Sequence, residues 1–168
     1  MPTFQKSLEA CLPDLWRYAY SLSFDKAQAD DLVQDCAERA LRKRQLWDPS
    51  RPLKPWLMTI LLNIHRNTRR RSTFLRLVPV DDAPATTAPA TTEARMELAD
   101  TARAIQMLPP EQRDALLLVV IGGLSYKEAA ETLDIPTGTL MSRIGRARRN
   151  LRHMTAAEPI SSFDGKSK

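Results

Sequence analysis

Between residues 4 and 71 apolar side chains recur every three or four positions, with none of the strict alternation of a half-buried strand, so this stretch reads as helices. The most informative of them covers Lys26 to Trp47. Leu32, Val33, Cys36, Ala37 and Ala40 fall on one side, and Asp31, Gln34, Asp35, Glu38 and Arg42 form a mainly acidic stripe opposite. One face builds a core and the other is free to dock a partner, although a merely solvated acidic face is the plainer reading of this helix taken alone. The three prolines of DPSRPLKP, residues 48 to 55, predict a stiff extended loop, with helix resuming at Trp56. Along that next helix Leu57, Ile60, Leu61 and Ile64 point one way, and Thr59, Asn63, Arg66, Asn67 and Arg70 another. The second stripe, rich in amide and guanidinium groups, suits phosphates and base edges; an ordinary amphipathic helix with a basic last turn is the alternative.

Residues 78 to 94, VPVDDAPATTAPATTEA, carry prolines, alanines and threonines without a period, which is linker composition. The apolar pattern returns near Met96, and LPPEQRDALLLVVIGG, residues 108 to 123, predicts a proline-initiated helix stopped by paired glycines. Residues 124 to 151, LSYKEAAETLDIPTGTLMSRIGRARRNL, then predict a helix, a tight turn and a second helix. Ser125 stands three residues before Glu128, the capping-box spacing; Pro136 and Gly138 mark the turn, and Thr137 or Thr139 is placed to cap the second helix. Leu140, Ile144, Ala147 and Leu151 form a narrow apolar stripe, while Met141, Ser142, Gly145, Arg146, Arg149 and Arg152 lie opposite. Five arginines and no acidic residue between Thr137 and Arg152 call for a polyanion more than for solubility. This is the outline of a DNA-reading helix-turn-helix.

A chain of 168 residues with 43% apolar and 27% charged side chains is globular and holds one domain or two small ones. Its net charge of +5 favours anionic partners without requiring one. Cys11 and Cys36 lie in helical patterns without a CxxC or a neighbouring histidine pair, and His65 and His153 are isolated, so reduced thiols are expected, with no metal site and no disulfide. No GxGxxG, P-loop, HExxH or GxSxG pattern occurs, and nothing in the chain asks for catalysis or a cofactor. Neither a signal segment nor an apolar run of membrane-spanning length is seen, which predicts a cytoplasmic protein without membrane insertion.

In order along the chain, three segments resemble the extracytoplasmic-function (group IV) sigma factors of the sigma-70 family. ADDLVQDCAERAL, residues 29 to 41, is similar to the region 2 helix that docks core RNA polymerase; LKPWLMTILLNIHRN, residues 53 to 67, to the promoter −10 segment; and residues 108 to 152 to region 4, which reads the −35 element. The resemblance implies an all-α protein of two small helical domains joined by a flexible linker: region 2 over 1–74, linker 75–95, region 4 over 96–153 and a polar tail 154–168. It implies core polymerase contact by Asp31, Gln34, Asp35 and Glu38. Contact with the −10 element would fall to Leu53, Lys54, Trp56, Asn63, Arg66, Asn67 and Arg70, with a flipped base trapped by the loop from Asp48 to Lys54. Thr139, Met141, Ser142, Arg143, Arg146 and Arg149 would read the −35 element. An anti-sigma factor is the further partner implied.

Three departures from the family pattern bear on promoter choice. Met141 stands where many relatives carry a cation and Gly145 where they carry a bulkier residue; Leu53 replaces an aromatic, and a leucine cannot stack on a base as a ring does. Two other readings remain: a sigma mimic that titrates an anti-sigma factor, against which the absence of room for a receiver domain counts, and a polymerase-independent helix-turn-helix regulator.

Overall fold

In a computed structural model, residues 3–75 and 92–156 are described, with side chains over 3–72 and 99–155. The expected linker and polar tail lie largely outside these residues. Among the described residues the elements are helical: α1 (Phe4–Ser23), α2 (Lys26–Arg42), a 3-10 turn (Arg44–Leu46), α3 (Leu53–Leu75), α4 (Thr92–Met107), α5 (Pro110–Val120), α6 (Tyr126–Leu133) and α7 (Thr137–Ala156).

Local chemistry sets the helix ends. The Asp25 carboxylate accepts from the Gln28 amide at 2.8 Å and starts α2, while Phe24, at φ 52°, turns the chain out of α1. The capping box of α6 forms as the spacing predicts: Ser125 N donates to Glu128 Oε2 at 2.8 Å, and Glu128 N donates to Ser125 Oγ at 3.2 Å. Three expected boundaries differ. The helix expected from Lys26 to Trp47 ends at Arg42, and a 3-10 turn follows. Helix α3 begins at Leu53 rather than Trp56, because Pro55 falls in the first turn, where its missing amide hydrogen would have had no partner. The turn before α7 is made by Asp134, at φ 53°, and not by Gly138, which lies inside α7; Thr137 is likewise a helical residue, so neither it nor Thr139 provides the cap. Asp134 reaches the left-handed region because its short polar side chain tolerates it.

Helices α1, α2 and α3 pack on one another, and α5, α6 and α7 form a second group that α4 joins through α7. The two groups also meet, α3 against α6 and α1 against α5, so the buried apolar residues form one cluster from Leu8 to Ala147. Helix α5 occupies the middle: Arg113, Asp114, Ala115, Leu116, Leu117 and Leu118 are all buried in succession. A helix covered on every side needs no apolar stripe, which is why ALLLVV carries little helical periodicity. Each fully buried leucine here contributes about 1.5–3 kcal/mol.

Candidate nucleic-acid and polymerase interfaces

Leu140, Ile144 and Ala147 anchor α7 inward, with Leu151 half-buried beside them. That anchoring turns Met141, Ser142, Gly145, Arg146 and Arg149 into solvent, with Thr139 and Arg143 half-buried at the margin. Ser142 Oγ donates to the Thr139 carbonyl at 2.9 Å, which leaves its lone pairs directed outward. A Cβ placed on Gly145 would meet nothing within 4 Å, so the helix surface has a notch between Met141 and Arg149. Alanine at position 145 is therefore expected to raise stability by about 0.5–1 kcal/mol, read as a higher denaturant midpoint at unchanged slope.

On α2, burial of Leu32, Cys36 and Ala40 leaves Asp31, Gln34, Asp35 and Glu38 exposed along one side. Gln34 donates to Glu38 at 3.4 Å across one helical turn. Burial pushes the Cys36 thiol up to about 12, and it donates to the Leu57 carbonyl at 3.4 Å; Cys11 is also free. Cys36 is buried as expected, whereas Cys11 is only half-buried.

The third surface joins the loop after α2 to α3. Asp48 organises the loop, accepting from Ser50 N at 2.9 Å and Ser50 Oγ at 2.7 Å, and the bond from the Ser50 hydroxyl holds its carboxyl below the usual range. Trp47 and Trp56 both lie against Phe4, their ring centroids 5.6 and 6.3 Å from it. The two indoles edge an open cavity of about 400 Å³, with Asp48, Arg51 and Thr59 on the same side and Lys127, Glu131 and Thr132 of α6 across it. Trp47 was not among the expected site residues; it was read as the end of a helix that stops at Arg42, and only its aromatic character beside the prolines could have marked it.

The residues expected at the −10 strand divide. Asn63, Asn67 and Arg70 are exposed on α3, and Trp56 is half-buried at the cavity. Leu53, in contrast, is only 6% exposed and belongs to the core, so in this arrangement it is not a lining of the base pocket. Starting the helix at Leu53 turns its side chain inward. Lys54 Nζ pairs with Asp14 at 3.2 Å, and Arg66 is bound by Asp114 of α5, Nη2 at 2.8 Å and Nε at 3.1 Å from the same carboxylate oxygen. Around that pair Tyr18 Oη, His65 Nε2 and Arg113 Nε are buried without a hydrogen-bond partner. Burial, with Arg69, Arg113 and Arg66 adding repulsion, pushes the His65 imidazole down to about 4. His65, isolated in the sequence, is thus a neutral, buried member of a group of charged side chains in the fold.

Among the described residues no three or more His, Cys, Asp or Glu side chains converge as a metal site, and no helix is long and apolar enough to cross a membrane. Comparison with known proteins gives this arrangement its context. Residues 8–74 match the family model for Sigma-70 region 2, and residues 98–151 that for Sigma-70, region 4. The ECF RNA polymerase sigma factor EcfG of Rhodopseudomonas palustris is 36% identical over 92% of this chain and 86% of its own length. The sigma factor RpoE of Bartonella quintana, solved with the anti-sigma factor NepR, superposes with a TM-score of 0.78 at 32% identity, covering 93% of this chain and 98% of that one. CnrH, solved with the cytosolic domain of CnrY, gives a TM-score of 0.72 at 29% identity over 93% of this chain and 89% of that one. With both regions matched in order and likeness running through nearly the whole length, the chain belongs to the sigma-70 family, among the ECF RNA polymerase sigma factors.

Proposed function

We propose that this chain is an alternative sigma factor that docks on core RNA polymerase through Asp31, Gln34, Asp35 and Glu38 and brings two DNA-reading surfaces to a promoter. The observation that carries the reading is the outward face of α7: arginines and small polar groups free in solvent, held by Leu140, Ile144 and Ala147 behind a capped helix and a tight turn. Thr139, Met141, Ser142, Arg143, Arg146 and Arg149 address the −35 element. On α3, Asn63 offers an amide that both donates and accepts at a base edge, while Arg66, Asn67 and Arg70 follow the strand. The cavity edged by Trp47 and Trp56 has indole faces on which an unstacked −10 base can lie, with Arg51 on the same lining for phosphate. Capturing that base favours strand opening, since the duplex cannot supply the same contacts.

The domains assigned are region 2 over 1–74 and region 4 over 96–153. The chain performs no chemistry of its own; the polymerase supplies it, and no cofactor is required. It acts in the cytoplasm, where core polymerase is. An anti-sigma factor is its natural antagonist, as the complex of the Bartonella quintana sigma factor with the anti-sigma factor NepR indicates for a relative.

Run-off transcription with sigma-free polymerase and the DNA upstream of the protein's own gene tests the whole proposal. Transcripts are expected only when the protein is added, and their absence at every promoter tried would refute it. Within region 4, Arg146→Ala is expected to cost about 1–3 kcal/mol of promoter affinity if the guanidinium meets a guanine, with relaxed preference at one base pair. If it meets phosphate, affinity falls evenly across sequences and the salt slope shrinks by about one.

A further inference from the structure

The glycines of region 4 serve different ends. A Cβ on Gly122 would stand 2.6 Å from the Leu118 carbonyl oxygen, and Gly123 holds φ 65°, so the turn after α5 requires both. Gly145 has neither reason. Its backbone is helical, and a Cβ there would meet nothing within 4 Å. A glycine in the middle of a helix lowers stability, and what this one provides is room on the outer face of α7. One turn earlier on that face stands Met141, 54% exposed, a flexible and polarisable apolar side chain.

The base-facing half of α7 is otherwise short of hydrogen-bonding groups. Ser142 Oγ is turned to the Thr139 carbonyl, and Arg143 is half-buried at the margin. Exposed cations begin at Arg146 and continue through Arg148, Arg149 and Arg152. In a helix-turn-helix the N-terminal residues of the second helix meet base edges in the major groove. Here two of them offer a thioether beside a gap one side chain deep, which neither donates nor accepts a hydrogen bond. The group in the major groove that such a surface selects is the C5-methyl of thymine.

We infer that Met141 and Gly145 together read a thymine of the −35 element, its methyl entering the gap at Gly145 and packing against the Met141 thioether. The inference rests on the sigma-factor reading and adds to it a base pair that this chain selects by apolar fit. Cytosine at the same place offers no methyl and brings an amino donor for which the two residues supply no acceptor. The arginines farther along the helix hold the strand while the apolar pair tests its fit.

Holoenzyme assembled from core polymerase and the full chain is bound to a labelled promoter fragment from upstream of the protein's own gene. Each thymine of the −35 element, on either strand, is replaced in turn by deoxyuridine, which removes the methyl and keeps every hydrogen-bonding group. At one position the parent is expected to lose about fourfold in affinity, the worth of one buried methyl, with little change at the others. In Met141→Ala, and in Gly145→Leu, whose side chain fills the gap, thymine and deoxyuridine are expected to bind equally at that position. Both positions are exposed, and an unchanged helical circular dichroism spectrum confirms that each variant is folded. A parent indifferent to every replacement overturns the inference, as does a fourfold effect that persists in either variant. If the parent holoenzyme does not bind the unmodified fragment, the sigma-factor reading fails and the inference falls with it. Binding with a flat deoxyuridine scan overturns the thymine contact alone.

Discussion

Reversing Asp35 and Glu38 together to lysine is expected to abolish co-purification of the protein with core RNA polymerase while leaving its unfolding transition in place. Both side chains are exposed on the face of α2 opposite Leu32, Cys36 and Ala40, and the one contact found for Glu38 is the exposed 3.4 Å bond from Gln34. Surface changes of this kind alter stability by about 0.5 kcal/mol or less. At an interface with a basic partner the same reversal converts two attractions into two repulsions, and like charges brought together cost several kcal/mol, which is at least a hundredfold in affinity. The contrast between an intact fold and lost retention makes the result diagnostic. Retention of the double variant at parental levels would show that the acidic stripe is the solvated face that its sequence alone also allowed.

The helices themselves were legible because each carries its own signal. The α6 capping box is written in Ser125 and Glu128, the inward stripe of α7 in Leu140, Ile144 and Ala147, and the division of α2 in the spacing of Leu32, Cys36 and Ala40. Local grammar erred where two signals compete. Three prolines argued for a loop up to Trp56, but a proline in the first turn breaks no hydrogen bond, so the helix starts earlier and draws Leu53 into the core. Gly138 outranked Asp134 as a turn-former by composition, yet the aspartate takes the positive φ. Nothing in local periodicity could show that Asp114 would meet Arg66, 48 positions away, because a charged pair in a run such as EQRDALLL reads as a surface feature until the helix is found buried on every side. The same non-local packing accounts for His65. By spacing it is one residue beyond an apolar stripe, and in the fold it faces α5.

That placement gives the second large effect, a loss of stability in mild acid. The His65 imidazole is held down at about 4 by burial and by Arg69, Arg113 and Arg66, the last of which is itself paired with Asp114. In the unfolded chain it titrates near 6.5. Between those values the unfolded state binds more protons than the folded one, so stability is fully present above about pH 6.5 and is lost as pH falls toward 4. The difference corresponds to about 3 kcal/mol, a sizeable part of the 5–15 kcal/mol typical of small proteins. Asp14, lowered chiefly by its bond from Arg17, and Asp48 titrate below this window, so they do not mask it. His65→Leu removes the titrating group and the orphaned Nε2 while keeping the volume. Denaturant unfolding of the parent at pH 7.5 and 4.5 is expected to show most of the 3 kcal/mol loss, and the leucine variant only a small part of it. An equal fall in both proteins would place the acid sensitivity in the carboxylates and leave His65 without a role in it.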